Sequence, residues 1–115
     1  MKTSNDPRHT RRKLLVQELF RRDFQSQPIS AQATQILQHS KEIDEKIQQA
    51  ASEFPIAKMN KIDLAILRLA TYELTVEKKE PPKVIIDEAI ELAKEFGNDT
   101  SPAFINGVLQ KIVQS

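Results

Sequence analysis

Residues 60–76 read Asn60-Lys61-Ile62-Asp63-Leu64-Ala65-Ile66-Leu67-Arg68-Leu69-Ala70-Thr71-Tyr72-Glu73-Leu74-Thr75-Val76, and this stretch decides the fold. Wound as a helix, it carries Ile62, Leu64, Ala65, Ile66, Leu67, Leu69, Ala70 and Leu74 nearly all round its circumference. A helix that is apolar on every side is stable in water only when other helices surround it. The stretch is therefore the expected centre of a helical bundle. Asp63 falls in its first turn, where the helix dipole favours an acid. Arg68 puts a charge into an apolar wall and needs an acid or a route to water. Glu73 and Glu91 are candidates, and the sequence does not choose between them.

The flanking segments are amphipathic, as the neighbours of such a helix should be. Asp6-Pro7 reads as an N-cap followed by Pro at the first helical position. The helix it opens runs to about Phe24, with Leu15, Val16, Leu19, Phe20 and Phe24 on one stripe. Gln27-Pro28-Ile29-Ser30 breaks it, and Ser30 caps a second helix over roughly 31–53. Ile36, Ile43, Ile47 and Ala50 mark its apolar side, Leu37 widens it, and Pro55 stops it. Beyond the central helix, Glu77-Lys78-Lys79-Glu80-Pro81-Pro82 is a polar turn. Pro82 begins a fourth helix that buries Val84, Ile85, Ile86, Ala89, Ile90, Ala93 and Phe96. Gly97 stands where a left-handed C-terminal cap is expected. Ser101-Pro102 reads as the N-cap and first position of a fifth helix, which contains Phe104-Ile105-Asn106-Gly107-Val108-Leu109. A glycine inside a helix costs roughly 1 kcal/mol relative to alanine. Gly107 is therefore expected to admit a closely packed neighbouring helix. No strand pattern and no internal repeat is present, so the fold class is all-α with short connections.

The chain has 115 residues, 39% hydrophobic and 29% charged, which suits one soluble domain over 1–115 rather than a disordered tail. No apolar run approaches the roughly 18 residues of a membrane span. The first residues lack the hydrophobic core of a secretory signal. Without cysteine there is neither a disulfide nor a thiolate metal site. The cytoplasm is the expected compartment. The net charge of +1 hides an asymmetry. Residues 1–22 hold Lys2, Arg8, Arg11, Arg12, Lys13, Arg21 and Arg22 against only Asp6 and Glu18. A basic end on an otherwise acidic domain is a candidate polyanion site.

Nothing in the sequence points to catalysis. His9 and His39 have no motif around them and are expected in solvent. Two glycines cannot build a phosphate-cradling loop. Asp87, Glu91 and Glu95 follow one another at helical spacing, with Glu88 adjacent, and make an acidic face expected to be solvated, or else to dock a basic protein. No catalytic residue, metal or cofactor is expected. The basic helix is more informative. Arg8, Arg11 and Arg12 lie within about one turn and continue the line of Leu15 and Leu19. Unpaired arginines are not buried, so this end is expected to overhang the bundle as a guanidinium cluster. Guanidinium forks suit phosphate bidentately. Phe104 is a candidate stacking platform for an unstacked base and Asn106 a reader of a base edge. Core packing is the competing expectation for Phe104.

Three segments resemble the NusB family of transcription antitermination factors. They are Val16-Gln17-Glu18-Leu19-Phe20 after its basic lead-in, Ile62 to Leu74, and Pro82 to Gly97 running on to Phe104-Ile105-Asn106-Gly107-Val108-Leu109. The resemblance implies a compact bundle of about five to seven helices in two packed subdomains. It also implies binding of a boxA-type RNA single strand together with NusE, a small-subunit ribosomal protein, within an RNA polymerase antitermination complex. By position, Arg8, Arg11 and Arg12 would contact RNA, with Phe104 and Asn106 beside the same strand. Phe20, Asp63 and Phe96 would face NusE. The expected state is a monomer or homodimer. Two alternatives remain: a helical protein-interaction module with little RNA affinity, or a stand-alone relative of the NusB-like domain of ribosomal RNA methyltransferases.

Overall fold

A computed structural model describes residues 6–24 and 28–115. Lys2 of the basic end and Gln27 of the expected break lie outside the described residues. Six α-helices follow in order: α1 Pro7–Arg22, α2 Ala31–Gln38, α3 Ser40–Ala50, α4 Lys61–Tyr72, α5 Pro82–Phe96 and α6 Ser101–Gln114. A 3-10 turn, Ile56–Lys58, precedes α4, and a π turn, Glu73–Glu77, extends it. No strand occurs among the described residues. α4 packs against all five other α-helices, as its all-round apolar surface requires. Two helix groups, α1–α3 and α5–α6, share it as their core. Leu64, Ile66, Leu67, Val16, Ile43, Ile105 and Leu109 are fully buried there.

Local chemistry sets the element ends. The Asp6 carboxylate accepts the Arg8 N–H at 2.9 Å and caps α1. Ser30 accepts the Ala33 N–H at 3.2 Å and caps α2. Ser30 also donates its own N–H and hydroxyl to Glu18 at 2.7 and 2.8 Å, which fastens the start of α2 to α1. The single helix expected over 31–53 is two helices, broken at His39 (φ −102°, ψ 15°). The Ser40 hydroxyl donates to the Leu37 carbonyl at 2.5 Å there, a side-chain bond that competes with the helical ladder. After α3, Gln48 organises the loop. Its Nε2 donates to the carbonyls of Ala51 and Phe54, each at 3.0 Å, and its Oε1 accepts the Ile56 N–H at 3.0 Å. Asn60 caps α4 by accepting the N–H groups of Ile62 and Asp63.

Arg68 pairs with neither acid suggested by the sequence. Its Nε and Nη2 donate to Asp44 on α3, each at 3.0 Å, and its Nη1 reaches Asp23 beyond α1 at 3.2 Å. Phe24, expected on the apolar stripe, lies past the end of α1 and is 61% exposed. The π turn closes on Lys78 in the left-handed region (φ 55°), whose N–H donates to the Glu73 carbonyl at 2.9 Å.

Both glycines differ from expectation. Gly97 has φ −91° and ψ −168°, an extended conformation rather than a left-handed cap. Its reason is space: a Cβ there would stand 2.5 Å from Ser101 Oγ and 2.8 Å from the Ala93 carbonyl oxygen. Gly107 admits no neighbouring helix, for nothing lies within 4 Å of where its Cβ would be.

Candidate nucleic-acid interface

The basic end of α1 does not overhang the bundle as a free cluster. Arg12 is 2% exposed and turned inward. Its Nε and Nη2 donate to the two oxygens of Glu73 at 2.9 and 2.7 Å. The same Nη2 donates to Glu80 at 2.5 Å, and Nη1 to Glu88 at 3.1 Å. Burial works against the guanidinium charge, but Glu73 and Glu80 outweigh it and hold Arg12 charged more firmly than a free arginine. The expectation of an exposed arginine failed because three acids, 61 to 76 residues away in sequence, converge on it. The surplus of acids in the rest of the chain was the only trace of this pairing in the sequence.

His9, expected in solvent, is buried beside Arg12. Its ring nitrogens lie 3.3 Å from Glu88 and 3.5 Å from Glu95. Lys13 pairs with Glu95 at 2.8 Å. Lys13 first, and His9 after it, hold the Glu95 carboxyl below the usual range against a smaller opposing effect of burial. Arg8 stays largely exposed and donates to Glu80 at 3.0 Å and to Asp6 at 3.4 Å. Burial pushes Glu80 up, yet Arg12 and Arg8 together bring it below the usual carboxylate range. Glu88 therefore leaves the acidic face of α5 for the interior, while Asp87 and Glu91 stay exposed beside Lys83 and Lys94. Among the described residues Arg11 is exposed and makes no ion pair.

Phe104 and Asn106 belong to a second place. Phe104 is half-buried, resting on the core on one side and on Phe54 on the other, with ring centroids 5.3 Å apart. Phe54 is 45% exposed, held there by the Gln48 loop. Between α3 and α6 the two rings, Ala50, Ala103, Gly107 and Lys111 border an open groove of about 400 Å³. Phe104 is thus both a core residue and a groove wall. Asn106 Oδ1 accepts from Gln110 at 3.3 Å and is partly exposed. The structure brings Arg8 and Arg12 together on Glu80, and Phe104 together with Phe54. Phe54 had no signal in the sequence, because its position depends on a loop fixed by Gln48.

Of the residues expected to face a protein partner, Phe20 is half-buried and meets Phe24 edge to face at 5.1 Å. Phe96 packs partly against the core at the end of α5. Asp63 is 6% exposed and its Oδ1 has no hydrogen-bond partner among the described residues. Burial raises its carboxyl above the usual range, and the neighbouring Ser101 offsets this only in part. No helix among the described residues is long and apolar enough to cross a membrane, and no group of side chains there could hold a metal ion.

Residues 5–114 match the NusB family. The transcription antitermination protein NusB of Geotalea daltonii is 50% identical over 80 residues, covering 70% of this chain and 55% of that protein. The protein of the same name from Chloroflexus aggregans is 37% identical over 108 residues, covering 85% of this chain and 72% of its own. The solved structure of T. maritima NusB aligns with a TM-score of 0.81 at 31% identity, over 100% of this chain and 94% of the other. The chain spans little more than half the length of the Geotalea protein. With a family match along almost its whole length and the same helical architecture as a solved member, the chain belongs to the NusB family.

Proposed function

We propose that this chain is a non-enzymatic adaptor of transcription antitermination, acting in the cytoplasm as one domain. It binds single-stranded boxA-type RNA together with NusE and joins the elongating RNA polymerase in support of ribosomal RNA transcription. The family match over residues 5–114 carries this reading. Geometry supports it at two places. Arg11 offers a guanidinium unpaired among the described residues at the surface of α1, and Arg8 an exposed one shared with Glu80 and Asp6, where phosphate can reach them. Phe104 offers a ring face in an open groove with Lys111 at its border, a combination suited to an unstacked base and its phosphate. Arg12 serves by tying α1 to Glu73, Glu80 and Glu88 rather than by touching RNA. Asn106 reads a base edge near Phe104, and Phe20, Asp63 and Phe96 face the protein partner.

The test is binding of boxA-type and scrambled RNAs, each with and without NusE, across a salt series. Phosphate contacts make affinity fall steeply as salt rises. Arg8→Ala/Arg11→Ala and Phe104→Ala are expected to weaken the boxA complex, the arginine pair with a shallower salt slope. If both variants bind as the unaltered chain does, the RNA assignment is wrong. A second reading, a module that binds only its protein partner, is favoured by one observation: Arg12 and Lys13 spend their charge on the chain's own acids. It predicts NusE binding with no difference between boxA-type and scrambled RNA.

A further inference from the structure

A second cleft opens where α1, α2 and the π turn meet, apart from the groove at Phe104. It is small, about 90 Å³. Its border carries Arg11, Gln32, Gln35, Tyr72, Glu77 and Lys79. Among the described residues, the side chains of Arg11, Gln32, Gln35, Glu77 and Lys79 make no hydrogen bond or ion pair. Arg12 and Glu73 also line it, but their charges are already spent on each other. The cleft therefore gathers two uncommitted cations, two carboxamides and one uncommitted carboxylate around a space that holds a flat ring edge and little more.

We propose that this cleft is a nucleotide subsite that takes one pyrimidine of the bound RNA and favours cytosine over uracil. The inference rests on the RNA-binding reading above. Arg11 and Lys79, both exposed on the border, suit the phosphate of that nucleotide. The volume suits the edge of a single ring better than a purine. Cytosine presents an amino donor at N4, which a carboxylate such as Glu77 accepts. Its N3 and O2 accept from the Nε2 donors of Gln32 and Gln35. Uracil presents a carbonyl at O4 instead, which would face the Glu77 carboxylate with both groups acceptors. An acidic peptide is a poorer occupant, since it would set its carboxylates against Glu77 without using the carboxamides.

The experiment measures binding of the full chain to oligocytidine and oligouridine of equal length at neutral pH, with a boxA-type RNA in parallel. The unaltered chain is expected to prefer oligocytidine by about tenfold, the discrimination of one good base contact. Glu77→Gln should bring that ratio close to one, because a carboxamide can donate to uracil O4. Arg11→Ala and Lys79→Ala should each reduce the salt slope by about one phosphate contact while keeping the ratio. Equal affinity for the two homopolymers, or a ratio untouched by Glu77→Gln, overturns the subsite. If boxA-type RNA is still bound in that case, the wider reading survives. If the chain binds no RNA with or without NusE, both fall together.

Discussion

The seam between α1 and α5 and the groove between α3 and α6 solve opposite problems. The seam buries charge: Arg12 sits inside with Glu73 and Glu88, and His9 lies beside them. The groove exposes apolar surface: Phe54 stands out and Gly107 leaves the wall bare. A buried ion pair contributes little net stability when complete and is costly when broken, because the remaining charge stays out of water. An open aromatic wall is the reverse, nearly indifferent to small changes and dependent on a partner to cover it. The seam should therefore respond to substitution through stability, and the groove through binding.

Arg12→Ala is the strongest way to break that contrast. It leaves Glu73 and Glu88 buried without their guanidinium, at an expected cost of about 3–5 kcal/mol. Arg12→Lys should recover only part of this, since an ammonium cannot serve Glu73 with a two-pronged fork. Chemical denaturation of both variants checks this. An Arg12→Ala loss within about 0.5 kcal/mol, the range of ordinary surface changes, would return Arg12 to the exposed cluster expected from the sequence.

The two glycines meet opposite surroundings, one crowded and one open. Gly97→Ala forces a methyl against Ser101 and the Ala93 carbonyl, an overpacked site with an expected loss of about 1–3 kcal/mol. Gly107→Ala meets only open space and restores helix propensity, so it should stabilise by up to about 1 kcal/mol. Gly107→Leu should melt no lower than the unaltered chain while occluding the groove and, if the proposed RNA site is right, weakening the binding of boxA-type RNA. Thermal melting of the three variants beside RNA titration decides it. A destabilised Gly107→Ala would mean that another helix does reach that face.

These glycines also show where the sequence stops being legible. The all-round apolar pattern of α4, the capping residues Asp6 and Ser30 and the prolines at 7, 82 and 102 are local signals, and each marked its element. Contacts between distant segments left no local mark. Nothing near Arg12 names Glu73, Glu80 or Glu88, and nothing near Arg68 names Asp44. The break at His39 is accompanied by a serine hydroxyl bonded to the Leu37 carbonyl, which periodicity does not register. Gly97 and Gly107 look alike in sequence because the volume around a glycine is a property of its neighbours. The candidate site followed the same rule: the exposure of Arg8 and Arg11 was readable from charge, whereas the pairing of Phe104 with Phe54 required the Gln48 loop.

The smallest expected effect is in the response to acid, and it has opposite signs in two places. In the seam, Glu80 and Glu95 have folded values below the ordinary 4.5. Their contribution is present above that value and is lost as pH falls through the folded ones. Asp63 is shifted the other way, above 3.8, because its carboxylate is buried with Oδ1 unpartnered. Its ionisation costs stability once pH exceeds the folded value, and the cost disappears below 3.8. Asp63→Asn removes the charge but keeps the shape, so it should raise Tm slightly at neutral pH. That gain should shrink on acidification until the two melting curves coincide near pH 3.8. Glu80→Gln should behave inversely, lowering Tm at neutral pH and converging with the unaltered chain in acid. If Asp63→Asn instead lowers Tm at neutral pH, the Asp63 charge is stabilising through its place in the first turn of α4. The proposed partner-facing role would then gain no support from that unpartnered oxygen.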